Sequence, residues 1–373
     1  MDNIKISPWQ LFTLITLFGW GTSLVVPYGM NAGQDAWIAA LLGLSAGLVV
    51  LQVYLYLYVR YPGLSLIGYT KKIMGKYAGW TIGLLYVLVF IYECSTVLRR
   101  CGDLLLNAVY DETPLFVLNA LMVVSVAYVA YKGIEVLART AGIYLIFLIF
   151  LGILGVLLIV SGGILEGIHL LPVMEKGVKP IVSTVFLETY GFPFGQMIVI
   201  TMLLPYVNKR RSVKKVAHGA MAATGFVLSI TIAIEISVLG VQLTQQSTFP
   251  LLVTISMVDV ADFLQRLDAI VVFTLIITVF FKIAVFYYVA VMGASELFDL
   301  PKPRQLILPV GFIILVTSMT IADNYSEYLM ETTLYNSRIG IFFYAVIPLL
   351  LSGIDLIRRR VHGKKGAERS GAA

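Results

Sequence analysis

The chain has 373 residues, 59% of them hydrophobic and only 13% charged, with a mean hydropathy of +0.90. Ordinary soluble domains are about a quarter charged, so this composition excludes a soluble globular protein and describes a helical protein that crosses a bilayer repeatedly. The formal charge of +6 does not imply a nucleic-acid partner, because the basic residues gather between apolar runs as a positive-inside bias requires.

The first run, "WQLFTLITLFGWGTSLVVPYGM", is longer than a signal-peptide core and lacks an A-x-A-like cleavage site, so it reads as a retained first span. Apolar runs long enough for a ~30 Å hydrocarbon core recur at roughly 8–30, 36–59, 80–108, 114–131, 136–161, 180–207, 214–242, 267–294, 304–322 and 338–357. The predicted fold is therefore all-α and polytopic, with about ten transmembrane helices. Most of the 27 Lys and Arg residues fall on one side, in "RYPGLSLIGYTKKIMGK", "NKRRSVKK" and the tail "RRRVHGKKGAER". The other side carries "YDETP" and "DNYSEYLMET". This asymmetry predicts cytoplasmic N- and C-termini. No connection is long enough to hold a soluble domain. The expected organisation is one transmembrane domain over 1–357 and a basic cytoplasmic tail over 358–373.

Two runs carry breaks that lipid does not tolerate on an exposed helix. The first contains "FGWGTS", with Gly19 and Gly21 followed by Thr22 and Ser23. The sixth contains "FLETYGFPFGQMI", in which Pro193 removes a helical hydrogen bond and Gly191 and Gly195 ease unwinding. Irregular backbone at membrane depth survives only where protein or a watery cavity satisfies it. The two runs open two five-span halves, 8–161 and 180–357, which must insert with opposite orientation. Paired broken spans in inverted halves point to a transporter-type 5+5 fold, with discontinuous helices 1 and 6 around a midplane binding site. Glycines in membrane helices also serve close packing, and for span 1 taken alone both readings stay open.

Ionisable groups at depth default to interior, functional positions. Glu93, Arg100, Glu188, Glu235 and Lys282 fall there. Glu93 and Lys282 read either as ligand contacts or as structural charges in a polar crevice. Lys282 has a sharper reading as well: a fixed ammonium occupies the place where a transporter would hold a coupling cation. Arg100 and Glu188 share a depth, so an ion pair between them is the expectation to test, while Arg99 points elsewhere, towards Asp103 and the interface. Glu235 lies nearer the surface and reads as structural. Tyr190, Gly191, Phe192 and Pro193 have the best claim among the aromatic-rich segments to line a pocket.

The two cysteines, Cys94 and Cys101, lie about 10 Å apart along one helix, too far for a disulfide. The three histidines are scattered, so neither a metal site nor a cofactor is expected. Metal-ligand spacings, G-x-S-x-G and phosphate loops are absent from the sequence, which argues against an enzyme.

Several stretches together resemble one family. "ISPWQLFTLITLFGWGTS" opens the chain, "YPGLSLIGYTKKIMGK" fills the first inner loop, and "FPLLVTISMVDVADFLQRLDAIVVFTLIITVFFK" leads into span 8. With the length and span number, these are similar to the B-subunit family of bacterial spore germinant receptors, the spore germination permeases, over essentially the whole chain. Arg266 and Asp268 match a recurrent pattern of that family, at a helix end where gating and purely structural roles both stay open. The resemblance implies a fold like that of the amino acid–polyamine–organocation transporters. It implies a sensor in the inner membrane of the spore, working with an A subunit and a lipoprotein C subunit. The implied ligand is a small germinant: an amino acid, nucleoside or sugar.

On this reading the germinant settles between the two breaks, held by Gly19, Gly21, Thr22, Ser23, Glu93, Tyr190, Gly191, Phe192, Pro193 and Lys282. Arg100, Glu188, Arg266 and Asp268 act as structural or gating polar groups. The alternative is a working secondary transporter of amino acids or related solutes, with Glu93 or Glu188 as a proton-coupling carboxylate. The partners expected are the two other receptor subunits, the germinant and membrane lipid.

Overall fold

The computed structural model describes residues 5–24, 26–108, 110, 112–258, 268–322, 327–328, 331 and 335–370. Among these the chain is helical, with no strand beyond a single parallel bridge between Ile6 and Val207. Among the described residues eight helices are long and apolar enough to cross a membrane. The runs at 8–30 and 180–207 are missing from that set, and both are interrupted, at Gly21 and at Phe192.

Helix α1 (Pro8–Trp20) starts with a capping box: the Ser7 hydroxyl accepts from the Gln10 N–H at 3.2 Å, and the Gln10 side chain accepts from the Ser7 N–H at 2.7 Å. Pro8 stands at the first helical position, where its missing N–H costs nothing. The helix stops at Gly21, whose φ of +20° lies in a region L side chains rarely adopt. A tight 3₁₀ turn over Gly21–Leu24 follows. The chain then turns back at Gly29 (φ +74°) into a 3₁₀ stretch, Met30–Asp35, and α2 (Ala36–Arg60). Gly19 has a different role. It lies inside α1, where an added Cβ would come within 2.5 Å of Thr224 and 2.6 Å of Met197. Its absent side chain permits close helix packing.

A short helix, α3 (Leu66–Met74), is capped by Ser65 and lies at the end of the molecule where the chain enters α1 and where Arg60, Arg210 and Arg359 stand, here the basic end. Lys71 donates there to the carbonyls of Glu296 (2.9 Å) and Leu297 (3.2 Å). These close the C-terminus of a later helix, Asp268–Leu297, where a cation complements the helix dipole. The long α4 (Lys76–Ala108), α5 (Leu115–Lys132) and α6 (Ile134–Ser161) follow.

The second broken run begins as α7 (Val178–Thr184), passes through a π-helical segment, Val185–Phe194, and continues as a 3₁₀ segment, Gly195–Met202. Phe192 is extended (φ −128°, ψ 123°). Neighbouring elements take up the polar groups this frees. The Tyr28 hydroxyl donates to the Thr189 carbonyl (2.9 Å), and the Thr189 hydroxyl donates to the Ala39 carbonyl (2.9 Å). Gly43 and Gly47 of α2 allow the close approach, since a Cβ at either would strike Thr189 or Phe194.

The remaining elements are α8 (Val213–Gln246), α9 (Pro250–Ser256), α10 (Asp268–Leu297), α11 (Ile307–Thr320) and α12 (Ile347–Ser370). Helix α8 is kinked at Gly240 (φ +73°), where the Ser237 carbonyl accepts from the Glu166 N–H at 2.9 Å. Before α12 lie two π-helical pieces, Tyr335–Gly340 and Phe342–Val346. Tyr54 and Tyr86 donate to the carbonyls of Tyr344 (2.5 Å) and Phe343 (2.9 Å).

The basic end is closed. The Ile6 N–H donates to the Tyr206 carbonyl at 2.9 Å and the Asn208 N–H to the Ile6 carbonyl at 3.1 Å, joining the start of the first broken run to the end of the second. Asp355 is bound by Tyr56, Tyr61, Arg60 and Arg359.

Candidate functional site

A cavity of about 300 Å³ lies between the two breaks. Its walls come from the span 1 turn (Thr22, Val26, Tyr28), α4 (Tyr92, Glu93, Thr96, Arg100) and the irregular segment (Leu187, Glu188, Phe192). Gln196 and the distant Tyr328 and Tyr335 complete them. It reaches the end opposite the basic one, where Asn31, Gln245 and Gln246 are exposed.

Glu93 is the carboxylate of this wall, 3% exposed. Its Oε2 accepts from the Gln196 amide at 2.7 Å, and its Oε1 accepts from the Tyr344 hydroxyl. With its Nε2 so engaged, Gln196 has a buried Oε1 with no hydrogen-bond partner among the described residues. A ligand here meets a carboxylate already fixed by two donors.

Phe192, which lines the cavity, also packs against Lys282. The Lys282 ammonium, fully buried and without a hydrogen-bond partner among the described residues, lies 4.3 Å from the Phe192 ring centroid and 5.4 Å from that of Phe18. Its stem packs where a side chain at Gly21 would otherwise stand. On the cavity side the Arg100 guanidinium is 5.9 Å from the Phe192 ring and 5.1 Å from that of Tyr328. Arg100 Nε donates to the Tyr328 hydroxyl at 3.0 Å, which in turn donates to the Thr96 carbonyl at 3.0 Å.

The partner expected for Glu188 is corrected by this geometry. Glu188 takes its hydrogen bonds elsewhere than Arg100: Oε1 accepts from the Gly29 N–H at 2.9 Å and Oε2 from the Asn31 amide at 3.2 Å. The left-handed turn at Gly29 carries these donors to it, and similar depth along two helices does not reveal such a turn. Arg99 sits beside Asp103 at 3.2 Å, but it is 7% exposed and also donates to the Ala322 carbonyl at 3.1 Å, so it does not extend to the interface.

Of the residues singled out from sequence, Thr22, Glu93, Phe192, Arg100 and Glu188 line the cavity. Gly19, Gly21, Ser23, Tyr190, Gly191, Pro193 and Lys282 are buried in the packing around it. The hydroxyls of Ser23 and Tyr190 are buried without partners among the described residues. Glu235 is buried in α8 away from the cavity wall. Arg266 lies outside the described residues, as does the side chain of Asp268, which opens α10. Sequence reasoning missed Gln196, Tyr28, Asn31, Tyr328 and Tyr344. Gln196 carried a usable signal, an amide in an apolar run directly after the break. Among the described residues no group of three His, Cys, Asp or Glu side chains is placed to hold a metal, and both cysteines are buried free thiols.

A helical bundle of membrane spans with two broken runs around a polar cavity has the architecture of a membrane transporter. The chain shares its fold with a nucleobase-cation-symport-1 family transporter, Mhp1, solved in a closed conformation with bromovinylhydantoin bound. The TM-score is 0.67 at 14% identity, covering 96% of this chain and 80% of that one. A family model described as "Spore germination protein" matches residues 5–326. The chain is 40% identical over 369 residues to Spore germination protein KB of Bacillus subtilis (strain 168), covering 99% of both. It is 23% identical to Spore germination protein A2 of the same organism, over 97% of this chain and 98% of that one. The chain belongs to the spore germination protein family, a family of multi-pass membrane proteins and not of enzymes.

Proposed function

We propose that the protein is the germinant-binding membrane subunit of a spore germination receptor, and that a small polar germinant binds in the cavity between the two breaks. The observation that carries this reading is Glu93: a carboxylate fixed by Gln196 and Tyr344 on the wall of a cavity of small-molecule size. Such an arrangement recognises a ligand rich in hydrogen-bond donors, as amino acids, nucleosides and sugars are.

The rest of the reading follows from family and pattern. The two broken runs are corresponding members of inverted five-span halves, within about ten spans. The basic end faces the cytoplasm, the membrane is the inner membrane of the spore, and the cavity opens outward. The partners are an A subunit and a lipoprotein C subunit. Binding favours one of two packings of the breaks, because only differential affinity shifts such an equilibrium.

The fold shared with a symporter favours one second reading, transport of the same solute with Glu93 or Glu188 as proton carrier. Both are tested with the purified chain in nanodiscs and proteoliposomes, screened by calorimetry against single amino acids, nucleosides and sugars. Saturable binding that Glu93→Gln weakens, with no uptake driven by a pH gradient, is the expected result. Gradient-driven uptake of the bound solute would establish the second reading. Binding untouched by Glu93→Gln would remove the cavity from both.

A further inference from the structure

A second cavity, a groove of about 460 Å³, lies on the far side of the span 1 turn from the polar one. Its floor is Trp20 and Leu24, the residues that bracket Gly21–Ser23. Its sides are the second half of α6, the middle of α8 and the start of α10, with Leu251 and Ile255 of α9 at one end. Leu148, Gly152, Val156, Val227, Ile234 and Val271 give the lining its character, which is almost wholly apolar.

The groove is continuous with the lipid-facing surface. Ile149, Ile153 and Leu157 of α6 and Ile230 of α8 line it and are 45%, 58%, 60% and 57% exposed. All four lie inside helices that cross the membrane. At that depth the surrounding molecules are acyl chains, and an apolar hollow left unfilled forfeits the dispersion contacts of its whole lining. Gly152 makes the hollow: a Cβ built there meets nothing within 4 Å, and at Gly155 it meets only Ile255, at 3.7 Å.

We infer that this groove is a binding site for one acyl chain of the surrounding bilayer, seated against Trp20 and Leu24. The span 1 turn then has lipid on one side and the polar cavity, through Thr22, on the other. The inference is independent of the germinant reading, because the groove shares no lining residue with the polar cavity.

The test uses Trp20, which is only 6% exposed, as a reporter. In the full chain carrying Trp9→Phe, Trp37→Phe and Trp80→Phe, Trp20 is the sole tryptophan. The protein is placed, one copy per disc, in nanodiscs of phosphatidylcholine brominated at a series of depths along the chain. Bromine quenches indole fluorescence on contact. The expected result is a loss of Trp20 fluorescence comparable to that of a Phe150→Trp control in a Trp20→Phe background, at one preferred bromine depth. Phe150 is 62% exposed on α6 and does not line the groove. Gly152→Leu, which fills the groove from within, abolishes the loss at Trp20 and leaves the control quenched. Val156→Phe does the same from the adjacent turn, should the first variant fold poorly. Quenching of the control without quenching of Trp20 overturns the inference, whether the groove is shut or taken by a protein side chain. Quenching of Trp20 that persists in both filled variants overturns it as well.

Discussion

The Lys282 ammonium stands 4.3 Å from the centroid of the Phe192 ring, so a cation of α10 is held by the aromatic face of the second break. Its stem fills the space left by Gly21 at the first break, and Thr278, one turn earlier on α10, donates to the Gly21 carbonyl at 3.1 Å. Both breaks therefore lean on one helix. Cation–π attraction is worth about 2 kcal/mol when desolvated, less than the several kcal/mol lost by burying an ammonium.

The first prediction asks what offsets that cost. Lys282→Met keeps the stem against Gly21 and removes the charge. Lys282 interacts electrostatically with Glu93, and removing one member of a buried charge pair costs about 3–5 kcal/mol, because the other charge is left uncompensated. The variant is expected to unfold at a lower temperature in nanodiscs, and Lys282→Met combined with Glu93→Gln to recover part of the loss. A higher unfolding temperature for Lys282→Met alone would show that Glu93 does not stabilise the ammonium.

Glu93→Gln tests the cavity wall. The amide keeps the shape, and the Tyr344 hydroxyl retains an acceptor, but Gln196 loses its anionic partner. Hydrogen bonds to charged groups contribute about 1.5–3 kcal/mol, so ligand affinity is expected to fall by about 10- to 100-fold. Gln196→Leu should bring a similar loss, and the double variant less than the product of the two. Calorimetric titration of the three variants checks this. Strict multiplicativity would mean the two side chains act apart.

Both breaks were legible in the sequence because Gly and Pro act locally: Gly21 ends α1, and the "GFPFG" stretch holds an extended Phe192 within it. Gly19 carried the same letter with a different cause, packing against Thr224 and Met197, which only the neighbours reveal. Glu93 was legible as a carboxylate at depth. Its partner Tyr344 was not, since a chain with 21 tyrosines gives no reason to choose one. The Glu188 contacts depend on how residues 26–31 turn back over the irregular segment, and no periodicity encodes that path.

Arg100 and Glu188 line one cavity, but Glu188 is bound by Gly29 and Asn31. Their effects on stability are therefore expected to add within about 0.5 kcal/mol in the cycle Arg100→Ala, Glu188→Gln and the pair, as for independent sites. Asn31→Ala and Glu188→Gln, which share a hydrogen bond, should couple. A larger coupling energy for Arg100 with Glu188 than for Asn31 with Glu188, read from unfolding of each variant, would restore the ion pair.

Gly19→Ala separates packing from unwinding. The added methyl would sit 2.5 Å from Thr224 and 2.6 Å from Met197, and overpacking of this kind costs about 1–3 kcal/mol. Met197→Ala should recover part of that loss, since the end of its side chain is one of the two obstacles. Thermal unfolding of the single and double variants reads the recovery. No recovery would place the strain in the α1 backbone instead.

The closure at the basic end is the last relationship to test. Asp355 on α12 accepts from Tyr56 (2.7 Å) and Tyr61 (2.5 Å) and lies 3.6 Å from both Arg60 and Arg359. Tyr61 follows α2, beyond the span, and burial first, then its hydrogen bond to Asp355, pushes its hydroxyl from 10.0 to about 12. A raised acid of this kind stabilises the closed end fully below its ordinary pKa, and that stabilisation is lost as pH rises from 10 to about 12. Closure should therefore be constant through neutral pH and weaken in that alkaline window. Leu351→Cys, one turn before Asp355 and 1% exposed, reports it by thiol labelling against two buried native cysteines. Asp355→Leu should speed labelling at neutral pH, whereas Tyr61→Phe should flatten the alkaline rise with a smaller effect at neutrality. A labelling rate at Leu351→Cys that ignores both substitutions would mean that other contacts hold α2 and α12 together.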